Sequence, residues 1–233
     1  MTKYRFGLTN NQLKAVAMLS MLSDHIGKEF FPDLLILQYI GRLALPIFAY
    51  MIAEGCLYTR NKKSYLLKIS LLAVGCQSVY FIFEHSLYQN ILVTFTLSVI
   101  LIFVIRNFLD KKDFPAVLLM CSVVLVVSVI VLFPYIVKNT GFQIDYGLFG
   151  VLLPVLVYFA KNKIMKLFAT AFSLTMISFD LGGFQWISLF SVVLLWLYNG
   201  KRGKLNLKYL FYIFYPSHLA IIYAVKMLID YFS

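Results

Sequence analysis

Six ionisable residues stand inside, or at the mouth of, long apolar stretches of this chain: Asp24 and His25, Arg42 and Glu54, Asp145, and His218. Such groups are costly to bury in an apolar medium and normally face a partner or a cavity, so each is a functional candidate. His25 is the most informative. A neutral imidazole exchanges protons near pH 7, so it can serve as a general base or carry a group transiently. Lys14 precedes it by 11 residues, about three helical turns, which puts both side chains within roughly 20° of one face and about 16 Å apart. Ala17, Met18, Met21 and Leu22 lie between them, so this face could line a slot rising from the cytoplasm. Equally, Lys14 could reach lipid headgroups, and His25 could be a packing residue held by a hydrogen bond.

Arg42 belongs with Pro46. Proline excludes the carbonyl four residues earlier, so the helix is expected to kink or break beside a fixed positive charge. Pro216 repeats the device, freeing the Tyr212 carbonyl ahead of His218. Tyr50, Glu54 and Tyr58 form an i, i+4, i+8 polar stripe descending toward a basic loop. A structural pair with Asp or Glu is the alternative for Arg42, and a packing hydrogen bond the alternative for His218. His85 falls in a short loop and is expected to be solvated.

The elements that position these residues follow from composition. The 233 residues are 61% hydrophobic and 13% charged, against about 25% charged in a soluble domain. The 31 charged residues cannot coat a soluble domain of this size, which also excludes a disordered tail. Cys56, Cys76 and Cys121 show no CxxC or zinc spacing and exclude a disulfide scaffold. Stretches 85–105, 114–137 and 181–200 lack Asp, Glu, Lys and Arg entirely; each matches the roughly 20 residues a helix needs to cross a bilayer. With the interrupted runs, nine spans are expected near 10–30, 35–58, 64–84, 89–106, 115–136, 145–160, 164–179, 184–199 and 208–231. The sixth and seventh are short. The fold expected is an all-α polytopic membrane bundle forming a single domain over 1–233.

Charge supports that count. Lys3, Arg5 and Lys14; Arg60, Lys62, Lys63 and Lys68; Arg106, Lys111 and Lys112; Lys161, Lys163 and Lys166; and Lys201, Arg202, Lys204 and Lys208 occupy the N-terminus and every second loop, 17 of 21 basic residues. Positive charge retained in the cytoplasm puts the N-terminus inside and the C-terminus outside the cell membrane. The same asymmetry accounts for the net charge of +11 without a nucleic-acid partner. The first apolar segment carries Lys14, Asp24 and His25 and no A-x-A site, so it is expected to remain as a helix.

Several of these residues fall in ordered motifs. Asn11-x-x-Lys14 leads to Ser23-Asp24-His25; Ile40-Gly41-Arg42-Leu43-Ala44-Leu45-Pro46 is followed by Ala53-Glu54-Gly55-x-x-Tyr58-Thr59-Arg60-Asn61. Asn90 with Thr94, Asp145-Tyr146-Gly147-x-x-Gly150, and Phe211-Tyr212-x-Phe214-Tyr215-Pro216-x-His218 complete the set. This pattern resembles the TraX family over nearly the whole chain. The resemblance implies a membrane acetyltransferase of the kind associated with pilin N-terminal acetylation, distantly similar to acyltransferases that move acetyl across the bilayer. Acetyl-CoA is then the donor, no metal is needed, and the acceptor could be a peptide, sugar or lipid amine or hydroxyl.

Acyl transfer needs a base and groups facing a developing oxyanion. The expected catalytic set is His25, Asp24, Arg42, Asp145 and His218, with Asp24 or Asp145 orienting the imidazole. Lys14, Glu54, Tyr58, Arg60, Lys62, Lys63 and Lys68 form the expected acetyl-CoA entrance, although positive-inside topology alone would also produce that cluster. The rival from another class is a small-solute transporter or lipid-binding permease. Transporters usually show duplicated halves with paired broken helices, and nine spans with opposite termini do not divide that way. A non-catalytic assembly subunit would leave the intramembrane ionisable residues unexplained.

Overall fold

A computed structural model describes residues 7–110, 115–137, 140–204 and 208–232. The basic residues Lys3, Arg5, Lys111, Lys112 and Lys138 lie outside these. Among the described residues the secondary structure is helical, with only two isolated backbone bridges, Leu8 to Tyr198 and Gln89 to Ile144. In chain order the helices are α1 (Asn10–Phe30), α2 (Leu35–Gly41), α3 (Ala44–Tyr58), α4 (Lys62–Glu84), α5 (Ile91–Asp110) and α6 (Ala116–Val127). A π-helical turn, Ser128–Leu132, leads into α7 (Phe133–Ile136), followed by α8 (Gly147–Phe159) and α9 (Lys163–Leu181). A 3₁₀ helix (Gly183–Phe190), α10 (Ser191–Trp196) and α11 (Lys208–Phe232) complete the chain.

Each expected span coincides with helix, yet only six helical stretches among the described residues are long and apolar enough to cross a membrane. These are Leu35–Tyr58, Lys62–Glu84, Ile91–Asp110, Ala116–Ile136, Lys163–Leu181 and Tyr212–Phe232. Length and apolarity alone therefore support six crossings among the described residues and do not confirm about nine. Helix α8 has 13 residues, about 20 Å at 1.5 Å per residue, short of a core about 30 Å thick. The eighth expected span is a 3₁₀ segment joined to a six-residue α-helix, and the seventh, expected to be short, is a full 19 residues. Helix α1 is long enough but carries Lys14, Asp24, Lys28 and Glu29.

The chain divides into two compact units, residues 1–51 with 162–233, and residues 52–161. In the first, α1 starts with a capping box, Thr9 bonding the Gln12 amide while the Gln12 side chain returns to the Thr9 amide. Backbone bonds from Leu8, Asn10 and Asn11 to Leu197, Lys201 and Arg202 tie this end to the segment after α10. The buried face of α1 is Leu13, Ala17, Met18, Ser20, Met21, Asp24 and Gly27, an apolar stripe that turns polar toward its C-terminus.

The second unit packs Cys56, Val99, Ile102, Val126, Ile144, Val151 and Val155 into its core. Outward faces of both units are rich in Leu, Val, Ile and Phe, the composition a lipid surround favours.

Candidate active site

Helices α1 and α2 fold back on one another at two glycines. A Cβ on Gly27 would overlap Leu37, and one on Gly41 would overlap the Asp24 carboxylate. Ser23 adds a hydrogen bond from its hydroxyl to the Leu37 carbonyl at 3.0 Å. The expected break falls at Arg42 and Leu43, between α2 and α3, with Pro46 in the first turn of α3. Proline is tolerated there because first-turn amides have no helical acceptor.

Arg42 is held from several sides. It pairs with Asp24 at 2.5 Å, donates from Nε to the Gln38 carbonyl at 3.3 Å and from NH1 to Gln185 Oε1 at 3.3 Å, and lies over the Phe184 ring at 5.3 Å. Asp24 also accepts from Lys28, one turn on, at 2.5 Å. Arg42 thus has its carboxylate partner, and both Asp24 oxygens are engaged by cations. A buried pair of this kind offsets the cost of each charge.

The histidines meet each other. His25 Nδ1 lies 2.9 Å from His218 Nε2, and His218 Nδ1 lies 2.9 Å from the Phe214 carbonyl oxygen. The rings are within 21° of parallel with centroids 5.0 Å apart. With a short N···N separation, that spacing means they join edge to edge. A carbonyl only accepts, so His218 Nδ1 must carry a proton, and in neutral His218 Nε2 then offers its lone pair. His25 Nδ1 must therefore donate, which leaves the lone pair of His25 on Nε2. Phe214, parallel to His218 within 9°, and Tyr215, perpendicular to it, hold the His218 ring in place. His218 is buried and His25 half-buried.

Asp145 lies in the second unit. Its carboxylate accepts from the Tyr88 hydroxyl at 2.6 Å, and its backbone carbonyl accepts from Thr94 at 2.8 Å. Burial first, then the Asp145 charge, push the Tyr88 phenol above its ordinary range. Tyr146 and Gly147 take left-handed φ of 58° and 52°, making the sharp entry to α8. Two expected motifs, Asn90 with Thr94 and Asp145-Tyr146-Gly147, thus meet within one unit.

Of the expected entrance residues, Tyr58, Arg60, Lys63 and Lys68 are exposed and Glu54 is buried. Lys62 turns toward Asn107 and over the Phe103 ring. Lys14 is half-buried and lies within electrostatic range of Arg202 in the first unit. His85 is exposed at the C-terminus of α4, with φ of 51°. Gln185, which sequence reasoning passed over, contacts Arg42; its only sequence signal is an amide set among Phe, Trp and Ile. Among the described residues no group of three His, Cys, Asp or Glu could hold a metal.

Fold and site together define an all-helical protein with several membrane-length apolar helices and a polar centre buried in one unit. The chain belongs to the TraX family, whose model, described as TraX protein, matches residues 9–226. It is similar to a probable fimbrial assembly protein FimC, serogroup H1, of Dichelobacter nodosus, 26% identical over 249 residues that cover 94% of this chain and 96% of the relative. It is also similar to the uncharacterized protein RP591 of Rickettsia prowazekii (strain Madrid E), 27% identical over 66% of this chain and 58% of that protein. No solved structure matches it.

Proposed function

We propose that this protein is an integral membrane acetyltransferase that takes acetyl from cytoplasmic acetyl-CoA and delivers it to an amine or hydroxyl at the outer side. The histidine pair carries the reading. A relay from the Phe214 carbonyl through His218 to His25 leaves a basic nitrogen on a half-buried ring in a water-poor setting, where a general base is effective. His25 Nε2 would take the acceptor proton as the acceptor atom bonds to the acetyl carbonyl carbon. The carbon–sulfur bond then breaks, and the thiolate takes the proton from the imidazolium.

The donor needs a basic surface for its phosphates. Arg60, Lys63 and Lys68 are exposed and would supply one, while Lys62 packs inward. Asp24 and Arg42 neutralise each other and would shape the site without adding net charge. Retention of basic loops in the cytoplasm supports an N-terminus inside and a C-terminus outside.

The name of the Dichelobacter relative suggests a second reading, a role in assembling a surface fibre, which covalent modification of a subunit would also serve. Labelled acetyl-CoA distinguishes the two. Membranes containing the protein should pass label to a membrane-fraction product, and His25→Ala membranes should not. Equal labelling by both would remove the acetyltransferase reading and leave the assembly role.

A further inference from the structure

Among the described residues of the first unit, four polar atoms are buried with no hydrogen-bond partner: Ser173 Oγ and Ser178 Oγ on α9, and Gln185 Nε2 and Ser188 Oγ on the 3₁₀ helix. The two elements pack against one another, and the four residues are 0–3% exposed. Gln185 and Ser188 are three residues apart, so they eclipse on a 3₁₀ helix and present one edge. Phe172, Phe179 and Phe190 of the same elements face outward. A lipid surround accounts for the outward aromatics but not for inward hydroxyls, which an apolar seam would pack better. Buried polar groups without partners point to an unseen ligand or water.

The orientation of Gln185 is set by chemistry. A guanidinium has donors only, so Arg42 NH1 accepts no placement of Gln185 except Oε1 toward it. Both N–H bonds of Nε2 then remain open. Asp24 braces Arg42, which braces Gln185, so the open amide is tied to the residue adjacent to His25. Charge narrows the ligand class. Asp24 is paired with Lys28 and Arg42, and Glu29 with Lys226; Asp33, Asp180 and Asp230 are exposed. No buried carboxylate of this unit is left to meet an ammonium, whereas hydroxyls and an amide suit groups that both donate and accept.

We propose that Gln185, Ser188, Ser173 and Ser178 line an acceptor subsite for an uncharged, hydroxyl-bearing group, a sugar or other polyol. The proposal rests on the acetyltransferase reading and gives it an ester product. An acceptor hydroxyl gives its proton to His25 Nε2, its oxygen bonds to the acetyl carbon, and the released thiolate takes up that proton. Thioester and alcohol become ester and thiol.

The test uses the purified full chain in a detergent without a sugar headgroup. The probes are methyl glucoside, glycerol mono-oleate and tetra-alanine, each followed by labelled acetyl transfer and by the shift of the thermal midpoint on binding. The sugar or the glycerol lipid should be acetylated in preference to the peptide amine, and the better of the two identifies the source. Gln185→Met and, separately, Ser188→Ala should raise the KM for that probe at least tenfold without changing acetyl-CoA binding. Preferential acetylation of tetra-alanine overturns the proposal. Variants that gain thermal stability with an unchanged KM also overturn it, since the seam then holds water alone. If no probe is acetylated, the acetyltransferase reading fails instead, and the binding shifts decide the subsite. A methyl glucoside or glycerol mono-oleate shift abolished by Gln185→Met supports it, and absence of any shift rejects it.

Discussion

Replacing His218 by leucine tests the relay directly. In the folded protein the Phe214 carbonyl obliges His218 to accept from His25 Nδ1–H. Leucine removes that acceptor and strands the His25 N–H. A buried donor without a partner costs about 1–3 kcal/mol, and 1.36 kcal/mol is a factor of ten, so the competent form of His25 should fall by roughly 5–150-fold. Were His25 to escape by moving its proton to Nε2, the base itself would be lost, and the rate would fall again. His218→Gln retains an acceptor of similar reach and should cost no more than about 13-fold, because a neutral hydrogen bond contributes only about 0.5–1.5 kcal/mol. His25→Gln removes the base and should cost about 10²–10⁴. The assay is single-turnover transfer of labelled acetyl in membranes, with acetyl-CoA binding measured alongside to separate chemistry from folding. A His218→Leu protein within twofold of the parent, beside an inactive His25→Gln, would show that His218 does not set the state of His25.

Asp24→Asn should destabilise the first unit by about 3–5 kcal/mol, because it leaves Arg42, only 11% exposed at its side chain, as an uncompensated charge. The Asp24→Asn/Arg42→Gln double variant should recover part of that loss in thermal unfolding, and a double variant no better than the single would refute the pairing. Neutralising Arg60, Lys63 and Lys68 should raise the KM for acetyl-CoA more than it lowers kcat, and more than for acetyl-pantetheine, which lacks the 3′-phosphate; equal losses for the two donors would move the entrance elsewhere. A cysteine placed after Asp230 should be labelled from outside the cell and one near Lys201 should be spared. The reverse pattern would invert the proposed orientation.

The helices were legible in the linear sequence because lipid leaves backbone groups no outside partner, so long apolar runs become helices. Pro46 likewise announced the break beside Arg42, since a missing donor is a local fact. Which runs could cross a bilayer was less legible. The stretch 181–200 has enough apolar residues, yet Gly182 and Gly183 take φ of 64° and 54° and start a 3₁₀ helix that a hydropathy count does not register.

The site divides along the same line. Adjacency in sequence suggested that Asp24 orients His25, but consecutive helical residues point about 100° apart, and each finds a different partner. Asp24 meets Arg42 beside α2, and His25 meets His218 on α11, 193 residues away. Gln185 carried almost no signal of its own. Residue type and spacing can mark a group as costly to bury, but which neighbour satisfies it, and which of its hydrogen bonds stay open, depends on distant segments brought together by tertiary packing.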